Sequence, residues 1–224
     1  MRGDGLSGTA GSDDPRTVPP GAGSGRWRSA LAVLFGALLL VWPAALNGYP
    51  LVFIDTASYL FQTVVPTMTW DKPWVYGPLI HLAHGRVSLW GAMLAQGALL
   101  SHLLWLAGGA VLGRRSARAH LLTCLGLAAL TSLPWFAATL MPDALTGAVV
   151  LCVFLLGLGW DGLGRVERFW VLGAGVGAVA VHASHLPTAA ALALFCGVWA
   201  WRGTALARAA VPALGAAALL LLTN

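Results

Sequence analysis

The sequence predicts an all-α fold, a multi-span transmembrane helical bundle of about six full spans plus a truncated seventh. Three observations lead there. Only 9% of the 224 residues are charged against 58% hydrophobic, and the mean hydropathy is +0.77, where a soluble domain carries about a quarter charged residues. The apolar residues run in long Leu/Ala/Gly-rich stretches rather than at amphipathic spacing. Backbone in lipid must satisfy its own hydrogen bonds, so a span is a helix or part of a closed barrel, and the lack of two-residue alternation selects the helix.

The elements follow in order. Residues 1–25 are mostly Gly, Ser, Pro, Asp and Thr, too polar to offset the cost of ordering, and read as a disordered tail. Residues 26–224 form the transmembrane domain, with an outer loop at 47–86. The first span is 29–46, after Arg26-Trp27-Arg28. A signal peptide competes there, with Pro43-Ala44-Ala45 near the end of the run. The run exceeds a usual signal core and Trp42-Pro43 is a poor cleavage context, which favours a retained anchor.

The outer loop carries Asp55, Asp71, Lys72, His81, His84 and Arg86 among aromatic residues suited to the headgroup level. A short helix is expected over 55–64, with Asp55 as its N-cap. The second span is 87–112, closed by a tight basic loop at 113–118. The third is 120–135, ended by Pro134 and Pro142, because proline disfavours helix at the residue before it. Spans at 144–160, 169–183 and 188–201 follow, with a polar loop at 161–168. A seventh begins near residue 209 and stops after roughly 15 residues, short of the ~20 a span needs, so it reads as cut off mid-element.

Charge orients this bundle. With the N-terminus inside, the inner segments hold eleven Arg (2, 16, 26, 28, 114, 115, 118, 165, 168, 202 and 208), and the outer segments hold only Lys72 and Arg86. That is the positive-inside distribution, and it puts the N-terminus on the cytoplasmic side, with a bacterial inner membrane as the expected location. It also accounts for the net charge of +5 without nucleic acid, since no basic patch with interleaved aromatics lies outside the spans. Membrane lipid is the expected partner. Cys124, Cys152 and Cys196 each lie in an apolar run with no ligand spacing, so they read as small buried hydrophobes.

The same map gathers chemistry on the outer side. Asp55, Asp71, Asp143, His81, His84, His182 and His185 all fall there, at the ends of three hairpins. Ionisable groups at membrane depth are costly and tend to line sites, so an outer cleft lined by Asp55, Asp143 and His185 is expected. Asp55 suits a general base and equally a helix cap. Asp143, after Pro142, suits a metal or phosphate ligand and equally a cap. Together the two carboxylates suit one Mg2+ or Mn2+ held with a phosphate. The cofactor itself stays open. His81/His84 and His182/His185 have the i, i+3 spacing of a shared helix face, suited to metal or, for the second pair, to an anionic phosphate. Gly173-Ala174-Gly175-Val176-Gly177 follows no strand and reads as helix packing through Gly173 and Gly177, not as a dinucleotide loop.

The stretch Tyr49-Pro50-Leu51-Val52-Phe53-Ile54-Asp55-Thr56-Ala57-Ser58-Tyr59-Leu60, with Pro142-Asp143-Ala144-Leu145 opening the fourth span, is similar to the first and second outer loops of GT-C type glycosyltransferases. These are multi-span membrane enzymes that use lipid-phosphate-linked sugar donors. The resemblance covers about residues 27–201 as a span pattern and two short motifs. It implies Asp55 as catalytic base, Asp143 as a metal or donor-phosphate ligand, and His185 near the phosphate. Arg86 would either neutralise the leaving phosphate or snorkel to the interface. The chain departs from the family in having Thr56 where many members carry a second acidic residue, and in its shorter length. Two other readings stand beside it. An ion-coupled transporter would place its polar groups near the midplane and show internal repeats. A non-catalytic membrane protein would need Asp55 and Asp143 only as caps.

Overall fold

The computed structural model of the chain describes residues 22–65, 72–201 and 203–223. Residues 1–21 of the expected 1–25 tail lie outside them, as does Asp71. Helix α1 (Ala22–Leu40) begins within the stretch assigned to the tail, and α2 (Trp42–Asn47) follows after a break at Val41. Pro43 causes the break, since it has no N–H to carry the ladder across. The outer loop folds into α3 (Ile54–Phe61) and α4 (Tyr76–His84). Helix α4 was not expected. Its Pro78 falls in the first turn, where a missing N–H breaks no helical bond.

Asp55 is not the cap of α3. Phe53 takes that position, and its N–H donates to Thr56 Oγ1 at 2.9 Å. Asp55 sits one step inside the first turn, where the helix dipole still favours a carboxylate.

Helix α5 (Leu89–Leu112) matches its predicted span. The third span is divided into α6 (Ala117–Leu130) and α7 (Leu133–Ala138), because Pro134 forces a new start after Thr131-Ser132. A single 3-10 turn, Pro142–Leu145, leads into α8 (Thr146–Gly157). Asp143 lies in that turn and makes no capping bond. Then come α9 (Arg165–Ala180), α10 (His185–Ala200) and α11 (Gly203–Thr223).

The seventh element is longer than the ~15 residues expected. Helix α11 has 21 residues, and it incorporates the segment that Arg208 marked as a loop. Arg208 is accommodated because its Nε donates to the Thr204 carbonyl at 3.1 Å and its guanidinium lies 4.9 Å from the Trp160 ring centre. Two helices, Leu89–Leu112 and Gly203–Leu222, are long and apolar enough to cross a membrane. No strand ladder occurs among the described residues.

The helices pack in two groups. One is α1, α5 and α6; the other is α8 to α11; α5 against α8 joins them. Leu100, Leu103, Val149, Val153 and Leu155 are buried at and beside that seam. Small residues let helices approach. A Cβ on Gly157 would lie 2.9 Å from Cys196 Cβ, and one on Gly175 would lie 3.0 Å from Pro212 Cγ. The packing glycine of α9 is therefore Gly175. Gly173 and Gly177, the expected pair, have nothing within 4 Å of a built Cβ, because residues two apart point to different sides of a helix. On the opposite faces, Leu34, Phe35 and Leu38 of α1 and Leu194, Phe195 and Trp199 of α10 are exposed.

Candidate functional site at the loop end of the bundle

Two loops that are far apart in sequence are stitched together here. Leu51 N–H donates to the Ala138 carbonyl at 2.9 Å, and Leu140 N–H donates to the Leu51 carbonyl at 2.9 Å, a single parallel bridge. Thr56 Oγ1, which receives the Phe53 N–H, donates in turn to the Leu140 carbonyl at 2.8 Å. Gln96 of α5 holds the second loop from below. Its Nε2 donates to the carbonyls of Ala137 at 3.1 Å and Thr139 at 3.0 Å. The Tyr76 hydroxyl donates to Gln96 Oε1 at 3.2 Å, tying α4 to the same point. Burial, then the neighbouring Tyr59 and the charge of Asp143, push the Tyr76 phenol above its ordinary value. It therefore stays a neutral donor.

Asp143 borders a hollow of about 280 Å³ walled by Phe53, Trp135, Phe136, Thr139 and Met141. Trp135 is held there by an edge-to-face contact with Trp42, ring centres 5.6 Å apart. The Asp143 side chain is exposed and has no hydrogen bond or ion pair among the described residues. Asp55 is different. Lys72 Nζ lies 3.1 Å from its Oδ1, and the carboxylate faces that ammonium rather than the hollow.

His185 is almost wholly buried at the start of α10. Its Nδ1 lies 2.6 Å from the Ala178 carbonyl, which can only accept, so Nδ1 carries the proton. Nε2 then accepts the Thr146 hydroxyl at 2.9 Å. Both ring nitrogens are engaged in joining α8, α9 and α10, which leaves none for a phosphate. His182 lies beside it, ring centres 5.3 Å apart and planes tilted by 39°, and receives the Ser184 hydroxyl on Nδ1 at 2.7 Å.

His81 and His84 share the last turn of α4, ring centres 5.0 Å apart. Burial, then His81, hold the His84 imidazole below its ordinary value, and its Nδ1 accepts the Arg86 N–H at 2.9 Å. Arg86 itself takes a left-handed turn with φ of 59°.

The structure thus brings the segments of Asp55, Asp143 and His185 to one end of the bundle, through Thr56–Leu140 and Thr146–His185. It does not turn the two carboxylates onto a common point. No three His, Cys, Asp or Glu side chains are grouped to hold a metal among the described residues. With Asp55 on Lys72 and His185 closed on both nitrogens, these residues do not fit a divalent cation.

Sequence reasoning missed Thr56, Gln96, Tyr76 and Lys72 as the groups that organise this end. Gln96 had a signal. An amide inside a 24-residue apolar helix must find partners, since an unpaired buried amide is costly. No family model matches the chain, and neither a curated protein nor a solved structure matches it.

Proposed function

We propose that the chain is a multi-pass membrane protein of about seven spans, its arginine-rich end facing the cytoplasm, and that the opposite end transfers a glycosyl group from a lipid-phosphate donor to an acceptor hydroxyl. The outward apolar faces of α1 and α10 and the gathering of Arg115, Arg168 and Arg208 at one end support the membrane placement. The observation that carries the catalytic reading is the stitched loop pair. It sets the motif around Asp55 beside Asp143, at an aromatic-walled hollow.

Asp143, which borders the hollow and has no partner among the described residues, is the base in this reading. It takes the proton from the acceptor hydroxyl while that oxygen bonds to the anomeric carbon. The bond from that carbon to the phosphate oxygen breaks, and the electron pair leaves with the lipid phosphate. Lys72, presented by Asp55, supplies the positive charge for the leaving phosphate. No step is assigned to a metal.

The test is transfer in proteoliposomes holding a polyprenyl-phosphate sugar and an acceptor. Asp143→Asn is expected to lower turnover by roughly a hundredfold or more, the scale of general base catalysis, with thermal stability unchanged. Asp55→Asn is expected to weaken donor binding more than turnover. No transfer by the wild type, or full transfer by Asp143→Asn, would sink the reading. Lipid binding without turnover would favour the non-catalytic one.

A further inference from the structure

The basic stretch 113–118, which runs from the end of α5 into the first turn of α6, holds three arginines in two different situations. Arg115 is committed to the protein, with Nη2 2.7 Å from Glu167 Oε2 and 3.3 Å from the Gly162 carbonyl. Arg114 and Arg118 are exposed and make no polar contact among the described residues. Each instead edges an apolar depression alongside α6. Arg114 closes a groove of about 270 Å³ between α5 and α6, walled by Leu104, Trp105, Val111, Leu112 and Thr123. Arg118 edges a second, shallower one between α1 and α6. The floor of the first groove is open at Gly108, where a built Cβ meets nothing within 4 Å.

We propose that the groove between α5 and α6 binds an anionic phospholipid of the membrane leaflet on the arginine side, with one acyl chain along the groove and the phosphate on Arg114. This rests on the membrane placement above and not on the glycosyl transfer. Length supports it. Leu104 to Leu112 spans roughly 12 Å at ~1.5 Å per residue, close to the ~15 Å of one leaflet's hydrocarbon.

Charge selects the headgroup. Glu167 is neutralised by Arg115, so Arg114 meets the lipid with its full charge, and a guanidinium grips a phosphate through paired N–H bonds. A free anion would gain nothing from the apolar wall. The Ser116 hydroxyl is already used, accepting the Ala119 N–H at 3.3 Å. The second depression repeats the pattern, with Arg118 at one end of an apolar surface.

The experiment uses the full chain in vesicles doped with a phosphatidylglycerol or a phosphatidylcholine bearing the same photoactivatable acyl chain, with labelled peptides mapped by mass spectrometry. Phosphatidylglycerol is expected to label 104–123 about fivefold more than phosphatidylcholine, the ratio for one basic contact near the surface. Arg114→Gln is expected to erase that preference. Gly108→Leu fills the groove from open space and is expected to abolish labelling there, while Gly108→Ala keeps it. Headgroup-blind labelling, or labelling untouched by Gly108→Leu, would overturn this proposal alone. Release of the chain from vesicles by alkaline carbonate would overturn the membrane placement and the proposal with it.

Discussion

Arg115 and Asp143, at opposite ends of the bundle, are held in opposite ways. At the arginine-rich end, opposite or polarisable groups meet. Arg115 grips Glu167 through both oxygens, and the guanidiniums of Arg168 and Arg208 lie 4.5 Å and 4.9 Å from the Trp160 ring centre. At the loop end, backbone pairing and buried amides hold the loops, and the Asp143 carboxylate has no hydrogen bond or ion pair among the described residues. Charges satisfied by one another serve anchoring. A charge held open beside an aromatic hollow is available for chemistry, and the scaffold beneath it is neutral.

The contrast breaks most severely at Gln96. Gln96→Leu leaves the Ala137 and Thr139 carbonyls without their donor and the Tyr76 hydroxyl without its acceptor. A loss of roughly 2–3 kcal/mol is expected, read as a lowered unfolding midpoint in detergent, and proteolysis should open first at 137–143.

Thr56→Val keeps the shape but removes the link between the loops. It orphans the Phe53 N–H and the Leu140 carbonyl, and about 1–2 kcal/mol should be lost. Hydrogen exchange should rise at Leu51 and Leu140 and stay unchanged around Arg115.

The smallest effect belongs to the opposite end. The hydrogen bonds from Arg115, followed by the Gly164 N–H, hold the Glu167 carboxyl below the ordinary range, against the cost of its partial burial. Its folded value is thus lower than its unfolded one. The pair stabilises fully above the ordinary Glu value and loses that contribution as pH falls through the lowered one. Because both side chains are partly exposed, Glu167→Gln is expected to cost only about 0.2–1 kcal/mol at neutral pH. It should also remove part of the acid-side decline in unfolding midpoint. An acid profile identical to wild type would show that the pair does not carry this end.

Much of the fold was legible because helix length, proline breaks and lack of charge are local. Helix α5 appears within two residues of its predicted start, and Pro134 and Pro142 each mark a real break, whereas the first span was expected to run straight through Pro43. Two misreadings had local causes as well. Arg208 looked like a loop residue because its aromatic partner, Trp160, is distant in sequence. Pro78 concealed α4, although a proline in a first turn is harmless.

By itself, then, the sequence determined a helical, lipid-compatible chain with its arginines biased to one set of loops, because apolar runs and charge counts need no knowledge of neighbours. Only the tertiary structure decided that Asp55 is spent on Lys72 while Asp143 has no partner among the described residues, that Gly175 rather than Gly173 or Gly177 is the contact of α9, and that Thr56 and Gln96 hold the loops. Each of these depends on which groups come within about 3 Å across long stretches of chain, the range of a hydrogen bond, and no local pattern records that distance.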